Sequence, residues 1–62
     1  MTRSDAYRAM ATGSKIQHYS FTVEEFLHMS GGAILDENNY NFEDGWRMRS
    51  GGIWESGWKV LD

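Results

Sequence analysis

The tripeptide Ser-Gly-Gly occurs twice in this chain, in HMSGGAIL at 28–35 and in MRSGGIWE at 48–55. Each copy lies between two segments of strand-like composition, and paired glycines supply the positive φ angles of tight β-hairpin turns. A phosphate-binding glycine loop instead connects a strand to a helix and carries Lys-Ser/Thr or further glycines at fixed spacing, and neither copy has that context. The copies therefore predict two hairpin turns, with a ligand-contacting loop as the alternative.

The first copy joins EEFLHM (24–29) to AILD (33–36). Upstream, KIQHY (15–19) alternates, with Ile16 and His18 on one side of a strand. These segments predict a β-hairpin region over about 15–36. Thr22 and Glu25 also have the spacing of a capping box, so a helical turn over 22–29 stays open as an alternative.

The second copy lies between WRMR (46–49) and IWESGWKVL (53–61), which predicts a second hairpin over about 46–61. Strand alternation would then place Arg47 and Arg49 together on one face. Gly57 would bend the last strand, and the polar stretch 37–45 reads as a loop.

The segment SDAYRAMATG (4–13) predicts a short helix over about 4–12, with Ser4 as N-cap and Gly13 as the stop. A two-turn helix is not stable alone in water, so it must pack on the strands. The sequence thus predicts one α+β domain over 1–62. We expect a short N-terminal helix packed on a small, strongly bent antiparallel β-sheet that is SH3-like or β-barrel-like.

A chain of 62 residues builds a small core, and folds of this size usually need disulfides, a metal or self-association. There is no Cys, and two His residues are too few for a zinc site. Three Trp, three Tyr and three Phe are many for this length. We therefore expect a homo-oligomer whose aromatic side chains fill a core, an interface or a ligand pocket.

The chain shows no stretch long enough to span a membrane and no signal-peptide core, so the expected location is the cytoplasm. Its net charge of −3 is uneven: residues 1–19 carry +2, 20–45 carry −6, and 46–62 carry +1. Duplex nucleic acid requires a broad basic face, which is lacking. A small anionic ligand requires only two or three cations, which the two ends can supply.

No catalytic or metal-binding set stands out. The stretch from Asp36 lacks the third ligand, the Gly and the final Glu of a calcium loop. Adjacent carboxylates such as Glu24 and Glu25 point to opposite faces of a strand, so they cannot share a proton. His18 and His28 are possible bases, yet half-buried strand residues are the simpler reading. We expect a protein that is not an enzyme and that has no cofactor.

Arginine and aromatic residues concentrate near the second Ser-Gly-Gly. Arg47 and Arg49 read either as a solvated cationic face or as a phosphate clamp, because guanidinium groups form paired hydrogen bonds with phosphate oxygens. Trp46 and Trp54 lie close by in sequence, and Tyr40 precedes them. Such rings can stack on bases, although core packing is the ordinary role of any one of them.

The order of these features over residues 4–42 resembles a group of small phage proteins. Their pattern has a short helix with an Ala-x-x-x-Met/Leu stripe, a Gly-Lys-Ile/Val turn into a basic strand, and then an aromatic residue. An apolar strand, a glycine-centred hairpin and Asp-Glu-Asn follow. The matching positions here are Ala6, Met10, Gly13, Lys15, Ile16, Phe21, Phe26, Leu27, Gly32, Ile34, Asp36 and Glu37. The group resembles the second Thoeris anti-defence family and the small anti-CBASS sponges. His18, Tyr19 and Phe21 depart from the group's usual residues.

The resemblance implies a compact β-rich homodimer or homotetramer in the cytoplasm of an infected bacterial host. It implies binding and sequestration, without cleavage, of a cyclic dinucleotide or a cyclic ADP-ribose isomer. Phosphates would meet basic residues of the N-terminal part and of the last hairpin, and bases would stack on aromatic rings. The predicted ligand-binding residues are Arg8, Lys15, His18, Tyr19, Tyr40, Trp46, Arg47, Arg49 and Trp54.

A second hypothesis is a small acidic phage protein that inhibits a host protein by direct binding. The acidic segment 20–45 and the loop 37–45 motivate it, because acidic surfaces attract basic partners. In that case Glu43 and Asp44 would be part of the contact.

Overall fold

The N-terminal helix, α1, begins with a reciprocal cap. Thr2 accepts a hydrogen bond from the amide of Asp5, and the Asp5 carboxylate accepts one from the amide of Thr2. A hydrogen bond from Arg8, followed by those from Thr2, lowers the pKa of the Asp5 carboxyl. The predicted N-cap at Ser4 was therefore wrong, because the Thr2–Asp5 pair caps the helix earlier. Gly13 follows the helix with a φ of 99°, as expected of a helix stop.

A computed structural model describes residues 1–61 and shows two α-helices, one 3₁₀ helix and four strands in that part of the chain. The elements in chain order are α1 (Arg3–Ala11), β1 (Lys15–His18), β2 (Leu27–Ser30), β3 (Ala33–Asp36), α2 (Glu43–Met48), the 3₁₀ helix (Gly52–Glu55) and β4 (Trp58–Leu61). The strands form one antiparallel sheet in the order β3-β2-β1-β4. The expected α+β class, with a short helix packed on an antiparallel sheet, is confirmed.

The first Ser-Gly-Gly is the predicted hairpin turn. Gly31 and Gly32 have φ angles of 59° and 80°, and they join β2 to β3 with Ser30 opposite Ala33. A two-residue turn with both φ angles positive matches the twist of the flanking strands. The alternative helical turn over 22–29 is limited to a reverse turn at 22–25, because β2 begins at Leu27.

The second Ser-Gly-Gly is not a hairpin turn, and the predicted hairpin over 46–61 was wrong. Residues 46–48 belong to α2, and Ser50-Gly51-Gly52 leads from that helix into the 3₁₀ helix. Only Trp58–Leu61 forms a strand, and it pairs with β1 across the sheet. The alternation in WRMR spans four residues and buries one of them, Trp46, which a helix turn achieves equally well. The predicted loop 37–45 accordingly ends at Glu43, where α2 begins.

The core lies between one face of the sheet and the two α-helices. Its buried apolar side chains are Ala6, Met10, Ile16, Leu27, Ile34, Trp46 and Trp58. Strand partners share a face, so the pairs of Ile16 with Leu27 and of His18 with Trp58 lie on this helix-covered face.

The outer edge of β3 is occupied by the segment that follows it. The Ile34 carbonyl accepts a hydrogen bond from the amide of Phe42 (2.8 Å), and the Asp36 amide donates to the carbonyl of Tyr40 (2.9 Å). The Glu43 carboxylate accepts a hydrogen bond from the Ile34 amide at 2.7 Å. These contacts satisfy groups that an edge strand would otherwise expose to another chain.

Among residues 1–61, neither α-helix has the length and apolar character needed to cross a bilayer.

Candidate ligand-binding surface

His18 is the most unusual polar residue of the fold, because its side chain is 1% exposed. The Ser20 amide donates to Nδ1 (3.1 Å), so Nδ1 is the acceptor and Nε2 carries the hydrogen. Nε2 then donates to the carbonyls of Ile53 (2.9 Å) and Ser56 (2.8 Å). The imidazole thus ties β1 to both ends of the 3₁₀ helix. His18 is therefore a structural residue, because both of its ring nitrogens already form hydrogen bonds within the fold.

Aromatic rings surround this imidazole. The ring centroids of Tyr19 and Trp54 each lie 4.4 Å from that of His18, and Trp58 lies at 4.8 Å. Tyr19 is 67% exposed, and Trp54 is half-buried. Gly57, with a φ of 86°, allows Tyr19 to lie close to the backbone, since a Cβ there would be 2.3 Å from its ring. His18 and Gly57 therefore hold two partly exposed aromatic rings in place.

Arg49 extends this arrangement with a cation. Its guanidinium carbon lies 5.3 Å from the Trp54 ring centroid and 4.9 Å from that of Phe42. Nη1 donates to the carbonyl of Gly45 at 3.1 Å, whereas Nε is buried and has no hydrogen-bond partner among residues 1–61. The guanidinium is thus held against two aromatic rings, and Nε, a donor without a partner in the described part of the chain, is buried.

We call Tyr19, His18, Trp54, Arg49 and Phe42 the aromatic–arginine row. Successive members lie within 5.3 Å of each other by the distances above. The row contains four of the nine predicted ligand-binding residues, brought together from β1, the 3₁₀ helix and the end of α2. Phe42 was not among those predicted. A surface that combines aromatic rings with a guanidinium is suited to a ligand that has both a base and a phosphate.

The other five predicted residues lie elsewhere. Trp46 is 6% exposed and belongs to the core, and Lys15 lies on the opposite face of the sheet from His18. Arg8 pairs with Asp5 at 2.7 Å on the exposed side of α1. Tyr40 is 70% exposed on the turn after β3. These four residues are therefore not part of the row, and the fifth is Arg47.

The predicted clamp of Arg47 with Arg49 was wrong. It required strand alternation, but the two residues lie at the end of α2 and beyond it, where neighbours two apart diverge around the helix axis. Arg47 is exposed and forms an ion pair with Asp44, whereas Arg49 turns inward toward Phe42.

Arg3 is a structural residue that sequence reasoning missed. Its guanidinium carbon lies 4.1 Å from the Trp46 ring centroid, and the group donates to the carbonyls of Arg49 (2.7 Å) and Trp46 (2.6 Å). It therefore caps the C-terminus of α2, where a cation is favoured. No local pattern marks Arg3, because its partners lie more than 40 residues away in sequence.

Replacement of Arg3 by lysine should lower stability by about 1–2 kcal/mol, because lysine keeps the charge but loses the planar stack and the paired hydrogen bonds. Urea denaturation would measure the loss. Arg8→Lys is the matched control, since Arg8 is an exposed arginine of the same helix, and its midpoint should hardly change. Equal shifts for both variants would contradict the capping role of Arg3.

The carboxylates have local structural roles. Asp36 accepts hydrogen bonds from the amides of Asn38 and Tyr40 and so organises the turn after β3. Glu43 closes the edge of β3, as described above. No group of three or more potential metal ligands comes together within residues 1–61.

The part of the chain from Met1 to Leu61 forms no enclosed pocket, so the aromatic–arginine row is an open surface. No protein-family model, curated protein or solved structure matches this chain.

Proposed function

We propose that this chain is a non-catalytic phage anti-defence protein that binds and sequesters a cyclic nucleotide immune signal. The ligand is a cyclic dinucleotide or a cyclic ADP-ribose isomer, and the site of action is the cytoplasm of an infected bacterial host. The observation that carries the proposal is the aromatic–arginine row, in which Tyr19 and Trp54 both contact His18 and Arg49 contacts Trp54. The resemblance of residues 4–42 to phage sponge proteins supplies the ligand class.

Two members of the row, Tyr19 and Arg49, contact the ligand in this proposal, and the others hold them in place. Tyr19 is the more exposed ring and offers a plane on which a base stacks. Arg49 supplies the cation for a phosphate through its terminal Nη groups, because its Nε is buried, and the contacts with Phe42 and Trp54 keep the guanidinium oriented. Binding without cleavage is proposed because the imidazole of the row is buried and its ring nitrogens already have partners.

The proposal includes homo-oligomerisation. An open surface on one chain buries only part of a nucleotide, whereas tight ligand sites usually enclose most of the ligand surface. In a homodimer or homotetramer, a second copy would cover the side of the ligand that one chain leaves exposed. An SH3-like or barrel-like curvature of the sheet would increase the ligand surface that is covered.

The test measures the binding of a panel of cyclic nucleotides to the chain by isothermal titration calorimetry and native mass spectrometry. We expect one compound to bind and to be recovered intact after denaturation. Arg49→Gln should weaken its binding by about 10- to 100-fold, through loss of a charged hydrogen bond. Tyr19→Leu should weaken it by at least about 5-fold, through loss of stacking.

Arg47→Gln is the matched control, because it removes an exposed arginine two residues from Arg49 and outside the row. It should bind as the unmodified chain does, and thermal unfolding should show that all variants are folded. Equal weakening by Arg47→Gln and Arg49→Gln would show a general charge effect and would contradict the assignment. Recovery of hydrolysed ligand would overturn the non-catalytic role.

The alternative, inhibition of a host protein by direct binding, has less support than the sponge proposal, because the acidic side chains that motivated it already have partners within the chain. Glu43 is half-buried and bonded to the Ile34 amide, and Asp44 is paired with Arg47. A chain that ignores the whole nucleotide panel but captures a defined host protein would nevertheless replace the sponge proposal with this one.

A further inference from the structure

One glycine of the fold, Gly45, does not have the backbone conformation that favours this residue. The other six glycines all have positive φ angles, whereas Gly45 lies inside the helix α2. A glycine within a helix disfavours the helix relative to alanine, because more backbone freedom is lost on folding. The backbone therefore gives no reason for a glycine at position 45, and its surroundings have to supply one.

The space beside Gly45 is filled by the ring of Phe42. A Cβ at position 45 would lie 2.6 Å from Cε2 of that ring and 2.7 Å from Cζ. Carbon atoms that are not bonded pack about 3.5–4.0 Å apart, so any side chain at position 45 would displace the ring. The backbone of Phe42 is fixed, because its amide donates to the carbonyl of Ile34 and its carbonyl accepts from the amide of Trp46, both at 2.8 Å.

The guanidinium of Arg49 contacts both of these residues. Its carbon lies 4.9 Å from the Phe42 ring centroid, and its Nη1 donates to the Gly45 carbonyl at 3.1 Å. Gly45 thus contributes to the orientation of the guanidinium in two ways. Its carbonyl accepts a hydrogen bond from that group, and its lack of a side chain leaves the Phe42 ring where the ring contacts the same group.

We propose that Gly45 is a positioning residue for ligand binding, because it lets the Phe42 ring hold the guanidinium of Arg49 in the orientation that meets a phosphate. The inference rests on the proposed function for the role of Arg49, and it adds the residue on which that role depends. Since Nε of Arg49 is buried, a phosphate is contacted through the terminal Nη groups. Affinity then depends on the direction in which these groups point.

Gly45→Ala tests the inference with one added carbon. At an ordinary helix position this change stabilises the helix and raises the urea midpoint. Here displacement of the Phe42 ring opposes that gain, so the midpoint should not rise. In NMR spectra without ligand, ring currents of Phe42 and Trp54 shift the signals of the Arg49 Cδ hydrogens. In Gly45→Ala these signals should move toward those of the exposed Arg47.

The affinity for the nucleotide that binds the unmodified chain should fall about 2- to 10-fold in Gly45→Ala, because a mobile arginine side chain has to be ordered on binding. Met48→Ala is the control for a change within α2 that leaves the Phe42 ring in place, since Met48 is 80% exposed. It should leave the Arg49 signals and the affinity unchanged.

Phe42→Leu provides a background in which the conflict at Gly45 is relieved. Leucine lacks Cε2 and Cζ, the two ring atoms nearest to the new Cβ. Adding Gly45→Ala to Phe42→Leu should raise the urea midpoint. It should leave the Arg49 signals and the affinity as they are in Phe42→Leu alone.

An equal rise of the urea midpoint in both backgrounds would overturn the inference, because the Phe42 ring would then move aside freely. Unchanged Arg49 signals in Gly45→Ala would overturn it as well. Both measurements are made without ligand, so they are independent of the proposed function. Displaced Arg49 signals with unchanged affinity would overturn the inference alone. Displaced signals in a chain that binds no nucleotide of the panel would overturn the proposed function alone.

Discussion

His18→Ala should leave most of the protein unfolded at 37 °C. The change removes a fully buried ring that packs against Tyr19, Trp54 and Trp58, and it leaves the carbonyls of Ile53 and Ser56 without their donor. A core cavity together with unpaired polar groups costs about 3–5 kcal/mol. A single-chain core of this size supplies about the same total. Circular dichroism during urea and thermal unfolding would measure the effect.

His28→Ala is the matched control, because His28 is also a strand histidine. It is half-buried, lies on the face of the sheet opposite the core and makes one side-chain hydrogen bond, to Asn39. Its loss should cost about 1 kcal/mol or less. Equal destabilisation by the two changes would mean that the contacts of His18 with the 3₁₀ helix contribute little to the fold.

Gly57→Ala should be the second most damaging change among those considered. Gly57 has a φ of 86°, and a Cβ at this position would lie 2.3 Å from the Tyr19 ring and 3.2 Å from Nε2 of His18. A positive φ costs a non-glycine residue about 1 kcal/mol, and displacing neighbouring side chains adds about 1–2 kcal/mol. The free energy of unfolding should therefore fall by about 2–3 kcal/mol.

Gly51→Ala separates the two contributions. Its φ is 73°, which is similar, but a Cβ there would meet nothing within 4 Å. We expect this variant to lose only the backbone part, about 1 kcal/mol. Chemical denaturation of both variants gives the difference. A loss at Gly51 as large as that at Gly57 would show that Tyr19 moves aside freely, and that Gly57 does not help to hold the row.

These two predictions concern the same small region, and they bear on the proposed function. His18 contacts the Tyr19 and Trp54 rings from within the row, Gly57 lies against Tyr19, and the proposal assigns neither His18 nor Gly57 to the ligand. Variants at these positions test whether the surface is rigid, whereas Arg49→Gln and Tyr19→Leu test whether it binds. A rigid surface matters for affinity, because ordering mobile side chains during binding costs about 0.5–1.5 kcal/mol for each one.

The sequence determined the parts of the fold that have strong local preferences. The alternation from Lys15 to His18 predicted β1, Gly31-Gly32 predicted the turn between β2 and β3, and the short segment that ends at Gly13 predicted α1. In each case the backbone or the hydrophobic period limits the conformations that a few neighbouring residues can adopt. The class of the fold followed from these elements.

The tertiary structure alone decided the C-terminal third and the make-up of the site. Four residues of alternating polarity at 46–49 fit a strand or a helix turn, and burial of Trp46 beneath Arg3 accompanies the helix. That outcome separates Arg47 from Arg49 and directs Arg49 toward Phe42 and Trp54. The tertiary structure also buries His18, whose ring donates hydrogen bonds to Ile53 and Ser56, 35 and 38 residues away in sequence. Local propensity differs by only a fraction of a kcal/mol per residue, whereas burial of one aromatic ring contributes about 2–3 kcal/mol, so long-range packing determines the conformation of such short segments.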